Sequence, residues 1–153
     1  CDDMGKTLGC GAHMAQLLRT KVGLFDDASM VTLQELEDCW RLYEQEKSPS
    51  AEAALKEILQ PMEVAVEHLS QVWITDNAVP FICNGSDVMV PGVVKFHNDI
   101  VPDEMVAVLT LKGELVALGA AQMSGEELGA AKKGVAVRVE KVLMNPDVYK
   151  KGE

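Results

Sequence analysis

The chain has 153 residues, 48% hydrophobic and 25% charged, an ordinary composition for one domain or one and a part, able to hold a core without disulfides or metals. Its formal net charge of −10 argues against a protein that grips nucleic acid mainly by neutralising phosphates, although a local basic patch stays compatible with it. No apolar run approaches the roughly 18 residues of a bilayer-spanning helix, and the acidic opening CDDMGKTLGCG is not a signal peptide.

Asp2–Leu8 reads as the end of a helix, stopped by the glycines that flank Cys10. A chain that opens on Cys1 reads as a piece of something longer. Residues 13–21 are expected as a strand and Asp26–Met30 as a loop. Thr32 with Glu35 three positions on is a capping box, and it opens a helix that runs to about Lys47. Leu33, Leu36, Trp40 and Tyr43 recur on that helix at helical spacing, which predicts a core-facing stripe. Ser48-Pro49-Ser50 breaks the helix, and a second one is expected over Ala51–Leu59 with Ser50 as its cap. Pro61 starts a short helical turn.

The pattern changes at Gln71. Residues 71–75 read as a strand, and Asp76 is placed to cap a short helix, NAVPFIC, that Pro80 limits to about two turns. Gly85 ends it. Three β-rich stretches follow, VMVPGVVKF, EMVAVLTL and ELVALGAAQM, the last two joined through Lys112-Gly113 as in a hairpin. Ser124 with Glu127 forms a second capping box, for a helix ending at Gly134. Residues 135–144 form the last strand, with Val135, Val137, Val139 and Lys141 on one side and Ala136, Arg138 and Glu140 on the other. Five or more short strands with two short helices suit a small closed or half-closed barrel.

Charge and cysteine use fit this division. Residues 1–70 hold 13 acidic and 6 basic groups, and residues 71–153 hold 11 and 8, so the acidity is concentrated before the barrel. Cys1, Cys10, Cys39 and Cys83 form no CxxC pair and have no histidine at zinc-finger spacing, as expected of reduced thiols in a cytosolic protein.

The stretch CNGSDVMVPGV, Cys83–Val93, resembles the signature loop of PUA domains, a pattern close to G-A-x-V-M-x-P-G-V with Ser86 in place of the alanine. GELVALGAAQMS and KKGVAVRVEKVLM match the rest of that domain in order. CDDMGKTLGCGAHMAQLLRTKVGLF, followed by MVTLQELEDCWRLYE, resembles the C-terminal part of the catalytic domain of TruB/dyskerin-type pseudouridine synthases. Leu18 and Lys21 replace two arginines of that pattern. PMEVAVEHLSQVWITDNAV resembles the junction into the PUA domain in the archaeal, guide-RNA-dependent branch.

The resemblance implies an α+β chain: a helical remnant of the catalytic domain over 1–70, then a small, mostly antiparallel β pseudo-barrel, the PUA domain, over 71–149. It implies isomerisation of uridine to pseudouridine in rRNA or tRNA, with no metal and no organic cofactor, in an archaeal cytoplasm. The implied partners are a box H/ACA guide RNA, small accessory proteins on the catalytic domain and a kink-turn-binding protein on the RNA, with no membrane and no DNA. The family's nucleophile lies in a G-x-L-D-type motif and its partner arginine in Y-I-R. Neither motif occurs in this sequence, so the chain alone is expected to be inactive.

On this resemblance Leu17 walls the pocket for a flipped uridine, a sensible apolar surface for a base taken out of its stack, or is an ordinary core leucine. Arg19 and Lys21 are candidate phosphate contacts, or solvated charges. His13 is expected to be a hydrogen-bonded structural residue, and His68 and His97 plain surface residues. Gly85, Met89, Pro91, Gly92 and Val93 border the groove that reads an RNA end, through backbone donors and apolar packing, or they simply close the barrel. Lys132 and Lys133 at the end of the second barrel helix, with Arg138, Lys141, Lys150 and Lys151, are candidates for a positive patch, or a solvated face. A non-catalytic RNA-binding module and a protein-interaction domain are the alternative readings.

Overall fold

In the computed structural model, which describes residues 1–147, the chain forms two compact units, Cys1–Ile58 and the part from Leu59 onward. The first unit is helical. Helix α1 (Asp2–Leu8) ends at Gly9 in the left-handed conformation. Strands β1 (Lys21–Val22) and β2 (Phe25–Asp26) make a minimal hairpin, followed by a 3-10 turn, Asp27–Ser29. Residues 13–20 are not a strand. That run has no regular secondary structure, and only Lys21–Val22 finds a partner to complete a ladder.

Helix α2 (Leu33–Glu46) opens on the expected capping box. Glu35 Oε2 accepts from the Thr32 backbone N–H at 2.7 Å, and Thr32 Oγ1 accepts from the Glu35 N–H at 3.2 Å. These bonds hold the Glu35 carboxyl below its ordinary range. Helix α3 spans Pro49–Ile58, two residues earlier than the sequence suggests, because Ser48 rather than Ser50 accepts from the Ala51 N–H and places Pro49 at the first helical position. The α2 stripe is not core. Leu33 is 81% exposed and Trp40 48%, while Leu36 and Tyr43 are half-buried. The two helices pack on each other, and a unit of this size buries only Gly5, Ala51 and Leu55, too little to cover a whole apolar face.

In the second unit a 3-10 turn, Met62–Val66, leads into six strands: β3 (Ser70–Ile74), β4 (Val88–Met89), β5 (Val93–Phe96), β6 (Met105–Thr110), β7 (Leu115–Ala121) and β8 (Val135–Val142). Their order is β4-β8-β7-β6-β3-β5, antiparallel except for β3 beside β6. The two edge strands are adjacent in sequence, joined by a 3-10 turn over Val90–Gly92. The Val90 N–H donates to Gly134 O and Gly92 O accepts from the Thr75 N–H, so this turn is bonded to both ends of the sheet and all but closes it. Val72, Ile74, Val106, Val108 and Val116 fill the interior, with Leu128 from helix α5 (Gly125–Ala130). Strand β6 is buried on its other face too, where Ala107 and Leu109 pack with Val66 and Leu115, which explains its unbroken apolar sequence.

Several expectations shift in detail. Helix α5 keeps its capping box but ends at Ala130, so Lys132 and Lys133 follow the helix rather than close it. Strand β8 does not keep the expected alternation: Ala136 and Val137 are both buried, and Arg138 and Glu140 face solvent on either side of half-buried Val139. Leu118 pairs with Lys141 and Gly119 with Val139, leaving Glu140 as an extra residue, and beyond this bulge Lys141 is exposed while Val142 is half-buried. Tyr149, Lys150 and Lys151 lie outside the described residues.

Candidate nucleic-acid interface

The short helix α4 (Val79–Cys83) and the closing turn face each other across an open cleft of about 430 Å³. Helix α4 has Ala78, not Asp76, at its N-cap, with Pro80 in the first turn where no N–H is needed. It turns Val79, Ile82 and Cys83 into the core, and burial raises the Cys83 thiol above its ordinary value, favouring the protonated form. Phe81 points the other way. It is 67% exposed and lines the cleft, together with Asn77 and Ala78 before it. The opposite wall is Met89, half exposed, with Pro91 and Gly92, whose missing Cβ would stand 3.2 Å from Ala78 Cβ. Gly85 makes the turn between the walls at φ +89, where its N–H donates to Ile82 O. Ser86 and Asp87 form the floor of that turn, and Asp87 Oδ1 accepts from the Val139 N–H at 2.9 Å.

The structure thus brings Met89, Pro91 and Gly92 of the expected loop together along the cleft, with Gly85 in the turn before it and Val93 starting β5 immediately beyond. The segment that carries Lys132 and Lys133 runs alongside. Val135 pairs with Met89 and Val137 with Val88, which puts Arg138 on the strand flanking the loop. Lys141 lies further along β8. These four cations are exposed, and among the described residues none forms an ion pair. The three ion pairs found among the described residues, Lys6–Asp2, Arg41–Glu37 and Lys56–Glu52, are solvent-exposed i,i+4 pairs on helices of the first unit.

Phe81, Asn77 and Asp87 are cleft residues the sequence reading missed. A signal existed for Phe81, an aromatic lying off the face made by Val79, Ile82 and Cys83. Two expectations about histidine are corrected. His13 is exposed and makes no hydrogen bond among the described residues, since the chain around it is irregular. His97 is half-buried: its Nδ1 accepts from the Gln71 N–H at 3.3 Å and its ring stands edge-on to Trp73, over which Lys95 Nζ sits 4.3 Å from the centroid. Strand pairing of Trp73 with Lys95 makes that group. In the first unit Leu17 is 68% exposed, and Arg19 and Lys21 are exposed as well. No group of three or more His, Cys, Asp or Glu side chains among the described residues is arranged to hold a metal ion.

Two family models match consecutive parts of the chain: the tRNA pseudouridylate synthase B C-terminal domain over residues 1–67 and the PUA domain over residues 70–143. The probable tRNA pseudouridine synthase B of Thermococcus kodakarensis is 48% identical over 149 residues, which are 97% of this chain and 43% of that protein. Its counterpart in Methanosarcina barkeri is 42% identical over 152 residues, 99% of this chain and 44% of that protein. Among solved structures, a chain of the archaeal box H/ACA sRNP Nop10–Cbf5 complex superimposes with a TM-score of 0.82 at 44% identity, over 99% of this chain and 48% of that one. A chain of the H/ACA RNP bound to a substrate RNA containing 2′-deoxyuridine gives 0.79 at 43% identity, over 97% and 46%. The chain therefore spans less than half the length of these relatives.

Proposed function

Because the chain belongs to the tRNA pseudouridylate synthase B C-terminal domain family over residues 1–67 and to the PUA domain family over residues 70–143, we propose that it is the C-terminal portion of an RNA pseudouridine synthase. In this reading residues 71–149 are the RNA-binding domain and residues 1–70 complete the catalytic domain. The PUA domain holds the single-stranded end of an RNA, the ACA end of a box H/ACA guide or the acceptor end of a tRNA. The observation that carries the proposal is the cleft: an exposed aromatic and an apolar loop face each other, with unpaired cations on the neighbouring strand. Unstacked bases pack on such surfaces, while cations beside them meet the phosphates.

Lys132, Lys133, Arg138 and Lys141 supply that phosphate contact in our reading, and Gly85, Met89, Pro91, Gly92 and Val93 shape the groove. Leu17 becomes a wall of the uridine pocket, and Arg19 and Lys21 touch RNA, only alongside the part of the catalytic domain that carries the nucleophile. The chain by itself then binds RNA without converting it. The accessory proteins belong to the same proposal, supported by the solved Nop10–Cbf5 and Cbf5–Nop10–Gar1 complexes to which the chain is similar. No helix of the described residues is long and apolar enough to cross a membrane, and a cytoplasmic, archaeal setting is our proposal.

The test is titration of the chain with an RNA hairpin carrying a three-nucleotide 3′ ACA tail, against the same hairpin ending blunt, at two salt concentrations. The tailed RNA is expected to bind more tightly at both, with affinity falling as salt rises, and the mixtures should form no pseudouridine. Equal affinity for the blunt hairpin would remove the RNA-end reading, and pseudouridine formation would remove the claim of inactivity.

A further inference from the structure

The residues that lead from the helical unit into the barrel are themselves bound to the barrel. The PUA match begins at residue 70, yet the compact second unit begins at Leu59. What holds the residues between lies on the outer face of the sheet. Val66 of the 3-10 turn is buried against Ala107 and Leu109 of β6 and Leu115 of β7, and Leu69 packs beside it. An apolar sheet face has to be covered by another element. Here part of the cover is the chain that precedes β3.

A polar bond fixes that cover in place. Glu63 Oε1 accepts from the Leu115 N–H at 2.8 Å, across 52 residues of sequence. Strand β7 bulges beside this point: Val108 pairs with Ala117 but Leu109 with Leu115, which leaves Val116 as the extra residue. The carboxylate thus takes a backbone donor where the ladder is irregular. Glu63 is half-buried, and a bond to a charged acceptor is stronger than a neutral one. The N–H groups of Val64, Glu67 and Leu69 donate to Pro61 O, Val64 O and Val66 O, which keeps the segment in one shape.

We propose that residues 62–69 are a strap latched across the outer face of the barrel, with Glu63 as the latch, and that this strap opens as a unit while the barrel stays folded. Its hold is one carboxylate bond and the side chains of Val66 and Leu69, whereas β6 beneath it is paired on both sides, with β3 and β7. Residues 59–61 are exposed and belong neither to α3 nor to the 3-10 turn, so they are the part of the connection left free of the barrel. The strap does not depend on what the cleft binds, and it stands or falls separately from the RNA-end reading.

Amide hydrogen exchange on the whole chain tests this, in the wild type and in the variants Glu63→Ala and Glu63→Gln. In the wild type the amides of Val64, Glu67, Leu69 and Leu115 are expected to be protected as a group, and less strongly than those of Val106 and Val108 in β6. E63A should speed all four by about ten- to hundredfold, the size of one hydrogen bond to a charged group, and leave the β6 amides at their wild-type rates. E63Q, whose carbonyl still accepts from the Leu115 N–H, should fall between the two. Strap amides that exchange in the wild type as fast as an unstructured chain, or that E63A leaves unchanged, would overturn the latch. β6 amides that accelerate equally in E63A would overturn the strap as a separate device, since the segment would then open only with the whole barrel.

Discussion

Gly119→Ala lowers the stability of the barrel by about 3 kcal/mol and its melting temperature by about 15 °C. Gly119 lies on β7 where the β8 bulge brings the neighbouring backbone closest. A Cβ there would overlap the Arg138 carbonyl oxygen and stand 2.8 Å from Val137 Cγ1. The carbonyl is backbone and cannot rotate aside, so β8 must move, and β8 also carries β4 and the bond to Asp87. The predicted damage thus reaches the cleft as well as the core. Gly129→Ala is the contrasting case. Its Cβ would meet only Phe96 Cζ, at an ordinary 3.6 Å, inside helix α5, so the replacement should stabilise by about 0.5–1 kcal/mol. Thermal melting of both variants checks the pair, and equal melting temperatures would show that the β7–β8 approach is not as close as described.

Phe81→Ala weakens binding of every tailed hairpin by at least about tenfold, whatever the tail, because base stacking on an aromatic is worth about 1–3 kcal/mol. Phe81 is 67% exposed and helix α4 is anchored by Val79, Ile82 and Cys83, so its removal costs the fold little. A circular dichroism melt at the wild-type temperature together with lost tail binding is the expected pair of results. Unchanged binding in a folded F81A variant would take the base out of this cleft.

Much of this architecture was readable in the chain. Both capping boxes formed, because Thr32 with Glu35 and Ser124 with Glu127 are local devices whose partners lie three residues apart. Strands β3, β6, β7 and β8 followed from their apolar patterns, and Lys112-Gly113 turned the hairpin. The failures share one cause, dependence on partners distant in sequence. Residues 13–20, expected as a strand, have no neighbour to pair with. The α2 stripe has helical period, yet period reports amphipathicity and not what covers the face. The β-rich stretch VMVPGVVKF holds both edge strands, β4 and β5, but the turn that divides them and closes the sheet depends on distant partners, Gly134 O accepting from the Val90 N–H and the Thr75 N–H donating to Gly92 O. The motif loop was found by resemblance, whereas its opposite wall, Phe81 and Asn77, emerged only when α4 was seen across the cleft.

The most direct measurement is to titrate the isotope-labelled chain with the ACA-tailed hairpin and follow its backbone amide signals. The account predicts that the largest shifts cluster at Asn77, Ala78, Phe81 and Ser86–Gly92, with smaller ones along Lys132–Arg138. Shifts centred instead on the Trp73–Lys95–His97 face, with the cleft amides unmoved, would contradict it.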